Sequence, residues 1–131
     1  VRYVVDASVA VEVLLRTELG RSVMPLLREA DLLAPELIDV EVLAALRRAV
    51  LGGRLDHDRA AEALDDLVLW PIERVSHAPL LAVAWSHRHN ASGYDATYLA
   101  AARVHRAALL TAVTGLAGMP NPGVPVHLVR A

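Results

Sequence analysis

Cysteine and lysine are both absent from this chain of 131 residues. Without cysteine there is no disulfide framework and no thiol chemistry. Without lysine, all thirteen basic residues are arginine. That excludes P-loop nucleotide hydrolases, Schiff-base enzymes and receiver domains that need a lysine beside an acidic pocket. The composition is 55% hydrophobic with a mean hydropathy of +0.38, yet no run of 18 or more apolar residues occurs, so no membrane-spanning helix is expected. No basic segment followed by an apolar stretch and a small-residue cleavage site marks the chain for secretion, and a cytoplasmic protein is the expectation. A formal charge of −2 argues against a general nucleic-acid coat. Acidic residues also run out early. After Asp95 the chain carries Arg103, Arg106 and Arg130 but no carboxylate side chain, which makes its C-terminal third locally basic.

What is present reads as alternating strands and helices. Arg2 to Val5 is β-branched and short enough for a strand buried on both faces. Ser8 is placed to cap a helix through Val9, Val11, Leu14 and Leu15. Gly20 opens a second helical piece that ends near Asp31. Leu32-Leu33-Ala34 follows as a strand, with Pro35 at a first helical position. From Glu36 to Leu51, Leu37, Val40, Ala44, Leu46 and Val50 recur at helical spacing and Gly52-Gly53 supplies the stop. Asp56 caps the next helix. A weak strand lies within Leu69 to Val75, at a sheet edge because of Pro71. Ser76 and Pro79 start a helix to about Asn90, and Ser92 starts another to about His105. Ala108 to Ala112 is a strand, a Gly- and Pro-rich loop follows, and Val124 to Val129 is the last strand. The expected fold is one α/β domain over residues 1–131, a mostly parallel sheet flanked by helices.

Three acids stand out. Asp6 sits where the first strand gives way to a helix, the edge at which parallel sheets bind ligands, although a turn or cap role is equally available to it. Glu41 has Leu37, Ile38, Ala44 and Ala45 as its helical neighbours, so its carboxylate needs a compensating charge. Arg47 and Arg48 lie too far along the helix to be a natural one-turn partner. Asp95 completes a capping box with Ser92, and its place at a helix start also suits a site residue. Convergent carboxylates without cysteine or a paired-histidine motif suit a hard cation, Mg²⁺ or Mn²⁺. His87 and His89, two residues apart, point away from each other on a helix and suggest surface or interface roles.

Val4-Val5-Asp6-Ala7-Ser8, Ala34-Pro35-Glu36-Leu37 leading to Glu41-Val42-Leu43-Ala44-Ala45-Leu46-Arg47-Arg48, Tyr94-Asp95-Ala96-Thr97-Tyr98-Leu99-Ala100 and Leu109-Leu110-Thr111-Ala112 occur in this order. Together they resemble the PIN domain, in particular the VapC-type toxins of bacterial toxin–antitoxin pairs, over nearly the whole chain. The resemblance implies a three-layer PIN-like fold and a homodimer. It also implies a Mg²⁺-dependent endoribonuclease acting on tRNA, rRNA or mRNA and held in check by a cognate VapB-like antitoxin. One departure matters: where the family usually places a fourth aspartate, this chain has Val113. Thr111, Thr114, backbone carbonyls or water would have to substitute, and one strong metal position is expected rather than two.

On this reading Asp6 and Asp95 hold the metal with help from Glu41, and one of these carboxylates orients the attacking water. Arg103 and Arg106 are the candidates for contact with the RNA backbone. The rival expectation is a PIN-fold protein with little or no nuclease activity, working through antitoxin or RNA binding. A flavodoxin-like nucleotide binder lacks support, because no glycine-rich phosphate loop follows the first strand.

Overall fold

The computed structural model describes residues 1–130. Its centre is β1 (Arg2–Val5), where Tyr3, Val4 and Val5 are all buried. β-Branched residues pack well on a pleated surface, and a strand covered on both faces has no polar side to show. β1 pairs in parallel with β2 (Asp31–Pro35) on one side and β4 (Ala108–Thr111) on the other. Val4 stands opposite Leu33 and Leu109, joining the three central strands in one buried row. β3 (Glu73–Val75) and β5 (Val126–Leu128) complete a wholly parallel sheet of order β3-β2-β1-β4-β5. The edge position expected near Pro71 is therefore β3, outside β2.

Chain order reverses between β1 and β4. β1, β2 and β3 step outward on one side, and β4 and β5 on the other. Right-handed crossovers then place the first four helices on one face and the later ones on the opposite face. The first group is α1 (Ala7–Leu14), α2 (Glu18–Arg28), α3 (Leu37–Leu51) and α4 (His57–Leu69). The second is α5 (Leu81–Trp85, after a 3₁₀ turn at Ala78–Leu80), α6 (Gly93–Val104) and α7 (Thr114–Ala117). α6 lies across β1, β2 and β4 on a stripe of buried small and aromatic side chains, including Ala96, Tyr98, Leu99 and Ala100. Among the described residues no helix is long and apolar enough to cross a membrane.

Several local expectations need correction. Ser8 does not cap α1; Asp6 does, accepting the Val9 N–H at 3.1 Å. α2 begins at Glu18, capped by the Thr17 hydroxyl, rather than at Gly20. Gly20 sits inside α2 where the helix crosses α1, and a Cβ there would lie 2.0 Å from the Glu12 carbonyl oxygen, so only glycine fits. Pro35 closes β2 instead of opening α3. The first amide of α3, Leu37 N–H, is taken by His77 Nε2 at 2.9 Å, a cap supplied from 40 residues away. The inward stripe of α3 is Ile38, Val42 and Leu46, whereas Val40 is exposed. The Gly- and Pro-rich loop contains α7, and the helix after Pro79 ends at Trp85, short of Asn90.

Candidate metal centre

The reversal of strand order opens a crevice beyond the C-terminal ends of β1 and β4, where ligands of open α/β sheets bind. Asp6 is the first residue past β1, and its N–H extends the ladder by donating to the Leu110 carbonyl at 3.2 Å. Its side chain is buried. Oδ1 accepts from the Val9 amide and, at 2.6 Å, from the Ser8 hydroxyl. Ser8 Oγ in turn accepts the Ala112 N–H at 2.9 Å. Ser8 thus ties the exit of β4 to the carboxylate at the exit of β1, a role its neighbours in sequence do not reveal.

Asp95 is in the first turn of α6, its N–H donating to the Ser92 hydroxyl at 3.1 Å. Glu41 lies one turn into α3, beside the buried Ile38 and Val42. The expected capping roles of Asp6 and Ser92 and the expected site positions coexist. All three acids line one cleft of about 430 Å³, together with Ser8, Glu12, Arg48, Tyr98 and Val113.

Negative charge is under-compensated there. Burial pushes the Asp6 carboxyl above the usual aspartate range and the charge of Asp95 adds to the push, while Ser8, the Thr111 hydroxyl and the Val9 amide oppose it. Burial also raises Glu41. The Tyr98 side chain pulls the other way, Asp95 and Asp6 push further up, and Arg48 opposes weakly. Burial raises Asp95 as well. Among the described residues none of the three acids forms a salt bridge. Such a cluster is suited to pairing with a cation.

The donors are all oxygens, which fits Mg²⁺ or Mn²⁺ and not a thiolate-seeking metal. Among the described residues no three carboxylate or imidazole groups come close enough to enclose an ion unaided. The site is open. Mg²⁺ suits such a site because it keeps several waters and needs only one or two carboxylates besides substrate phosphate. The Tyr98 hydroxyl is buried at the cleft wall and has no hydrogen-bond partner among the described residues.

Val113 faces the same cleft as the acids, so the position expected to carry a fourth carboxylate does border the site. Of its possible substitutes, Thr111 is buried with its hydroxyl accepting the Val113 N–H at 3.1 Å, and Thr114 is exposed outside the cleft lining. Arg103 and Arg106 do not line the cleft. Arg103 lies in the last turn of α6, roughly 12 Å along the helix from Asp95, and Arg106 lies just past the helix end. There Arg2 Nη1 donates to the His105 carbonyl beside the start of β1. The arginine that the cleft does present is Arg48, seven residues after Glu41 on α3; a search limited to one helical turn misses it. Of the surface or interface roles expected for the histidines, a surface role fails at His87, which is buried and whose Nε2 has no hydrogen-bond partner among the described residues.

Comparison with known proteins agrees with this architecture. The PIN domain family pattern matches residues 3–117. Ribonuclease VapC1 of Mycobacterium tuberculosis is 40% identical over 129 residues, covering 97% of both chains. Among solved structures, PAE2754 from Pyrobaculum aerophilum has a TM-score of 0.68 at 25% identity, covering 96% of this chain and 90% of that one. VapBC2 from Rickettsia felis, bound to a DNA fragment from its promoter, has the same TM-score of 0.68 at 14% identity, covering 99% and 100%. The matched sequence, the parallel five-stranded sheet and its coverage by helices on both faces together make this chain a member of the PIN domain family.

Proposed function

We propose that the protein is a VapC-like endoribonuclease toxin that hydrolyses RNA phosphodiester bonds with the help of Mg²⁺, or of Mn²⁺ in its place. The observation that carries the reading is the convergence of Asp6, Glu41 and Asp95 on one cleft at the sheet's switch point. The 40% identity to a protein named a ribonuclease supports it. Asp6 and Asp95 would hold the ion with help from Glu41, Asp6 with its carboxylate fixed in advance by Ser8 and the Val9 amide. When bound, the ion supplies Lewis-acid stabilisation of the phosphate and makes water a better nucleophile near neutral pH.

The remaining work falls to the chain's own groups. Glu41 is half-buried and borders the cleft, which leaves its carboxylate able to accept a proton from the attacking water. Water adds to phosphorus and the ester oxygen leaves as an alcohol, so one RNA end keeps the phosphate. Arg48 borders the same cleft and is better placed than Arg103 or Arg106 to meet a phosphate oxygen near the acids. The target, whether tRNA, rRNA or mRNA, would be chosen by shape and unpaired bases.

A cognate VapB-like antitoxin and a cytoplasmic setting belong to the same reading. A homodimer does too, supported by the exposed Leu81 and Trp85 along an apolar groove against α6. Val113 favours a second reading, in which the fold binds antitoxin or RNA with weak or no cleavage. The deciding experiment is RNA cleavage by purified protein with Mg²⁺, with chelator, and with Asp6→Ala. Cleavage is expected only in the first case; activity that survives both chelator and Asp6→Ala rules out this site.

A further inference from the structure

Tyr98 is among the largest side chains sealed in the core, with 2% of its surface exposed. It follows Asp95 by three residues on α6, so the two side chains leave the same face of the helix. The ring packs among apolar neighbours and the hydroxyl reaches the cleft wall. There it lies close to the Glu41 carboxylate and the Ala7 amide, yet among the described residues it has no partner at full hydrogen-bonding geometry. A buried hydroxyl left in that condition has lost its water and gained nothing in return. Phenylalanine would fill the same slot without stranding a donor.

Two carboxylates lie near enough for their charge to act on this hydroxyl, those of Glu41 and Asp6. Asp6 is already held by Ser8 and the Val9 amide. The Glu41 carboxylate accepts no hydrogen bond among the described residues. A donor without a partner therefore lies beside an acceptor without one. A carboxylate has two oxygens and room for several partners. We propose that Tyr98 is the positioning residue for Glu41, its hydroxyl donating to one carboxylate oxygen so that the other stays turned into the cleft. The inference rests on the reading of the cleft as a divalent-cation site, and Tyr98 itself is not a metal ligand in it. Outer partners of this kind fix the orientation of a metal-facing group and raise its affinity.

Mn²⁺ alone is the probe, its free fraction read by electron paramagnetic resonance in titrations of the intact protein. Tyr98→Phe is expected to weaken Mn²⁺ binding by roughly 10- to 100-fold, the usual effect of removing such a partner. In chelator the same variant is expected to melt no lower than the wild type, because the hydroxyl it lacks has no hydrogen-bond partner among the described residues. In a Glu41→Ala background, Tyr98→Phe should change Mn²⁺ affinity no further. Wild-type affinity in Tyr98→Phe, alongside loss of binding in Asp6→Ala, overturns the role of Tyr98 and leaves the cation site standing. An undiminished effect in the Glu41→Ala background, or a lower melting temperature in chelator, assigns the hydroxyl to some other contact and likewise overturns it. Wild-type Mn²⁺ affinity in Asp6→Ala overturns the cation site itself and this inference with it.

Discussion

β1 and β4 lie side by side in parallel, and each hands over to a helix at its C-terminal end. The residue at each junction is extended and stands at the helix N-cap, Asp6 before α1 and Val113 before α7. Asp6 accepts the Val9 amide and presents its carboxylate to the cleft, whereas Val113 offers α7 no side-chain cap. α1 runs for eight residues and α7 for four. The backbone has built two equivalent positions around one crevice and furnished only one of them with charge. In the proposed cation site, what would separate a strong metal position from a weak one is a side chain, and the strand geometry beneath it is already in place.

Removing the furnished end should have the largest effect. Asp6→Ala is expected to lower RNA cleavage by roughly 100-fold or more, since charge stabilisation by a bound metal is worth several kcal/mol of barrier. Single-turnover cleavage at saturating Mg²⁺ measures it. Ser8→Ala cuts the tie between the two strand ends, leaving the Ala112 amide and one Asp6 oxygen short of a partner. About 1–3 kcal/mol of stability should go with it, read from urea denaturation in chelator. A variant as stable as wild type would mean that the two ends hold their places independently.

Val113→Asp makes the two junctions alike. The new carboxylate should raise Mn²⁺ affinity by about tenfold, or ~1.4 kcal/mol, with a gain in cleavage. It should also add about 0.5–2 kcal/mol of capping to α7 once metal offsets the extra repulsion. Unchanged affinity would show that position 113 borders the site without belonging to it.

The smallest effect is in pH. The folded Asp6 carboxyl is raised above its ordinary value, chiefly by burial, so the folded state binds a proton more tightly than the unfolded chain. Its contribution is complete below the ordinary aspartate value and is lost as pH rises through the raised folded value. In chelator, wild type should therefore lose stability relative to Asp6→Asn as pH rises from the ordinary aspartate value, and excess Mg²⁺ should remove the loss. Thermal melts of both proteins over that range, with and without Mg²⁺, provide the check. A constant difference between the two proteins would mean that Asp6 is not the group responsible.

The parts of the molecule legible in sequence were those written in local chemistry. β1 announces itself by a β-branched run, Ser92 by its capping box, and Glu41 by the apolar residues on either side of it. The sheet followed from alternation of strand and helix, and the family pieces from their order. Contacts that depend on distant segments were not legible. Ser8 reads as a cap until β4 returns beside β1 and brings the Ala112 amide to it. Glu36 shows no side-chain cap on α3 because the cap comes from His77. Val40 fits the helical period of α3 but faces solvent, because the stripe that meets the sheet runs through Ile38, Val42 and Leu46. Arg103 and Arg106 stand out by their charge, but the length of α6 puts them at and just past its far end, away from Asp95 at its start.

Gly20 gives the cleft a dependence on a residue that does not line it. At that crossing the backbone of α2 touches the backbone of α1, and a single methyl group would collide with the Glu12 carbonyl. A side-chain clash can be relieved by rotation, but two backbones in contact can only move apart. α1 starts at Asp6, and Glu12 borders the cleft. An alanine at position 20 would act as a wedge, felt first as a change in the aperture of the cleft.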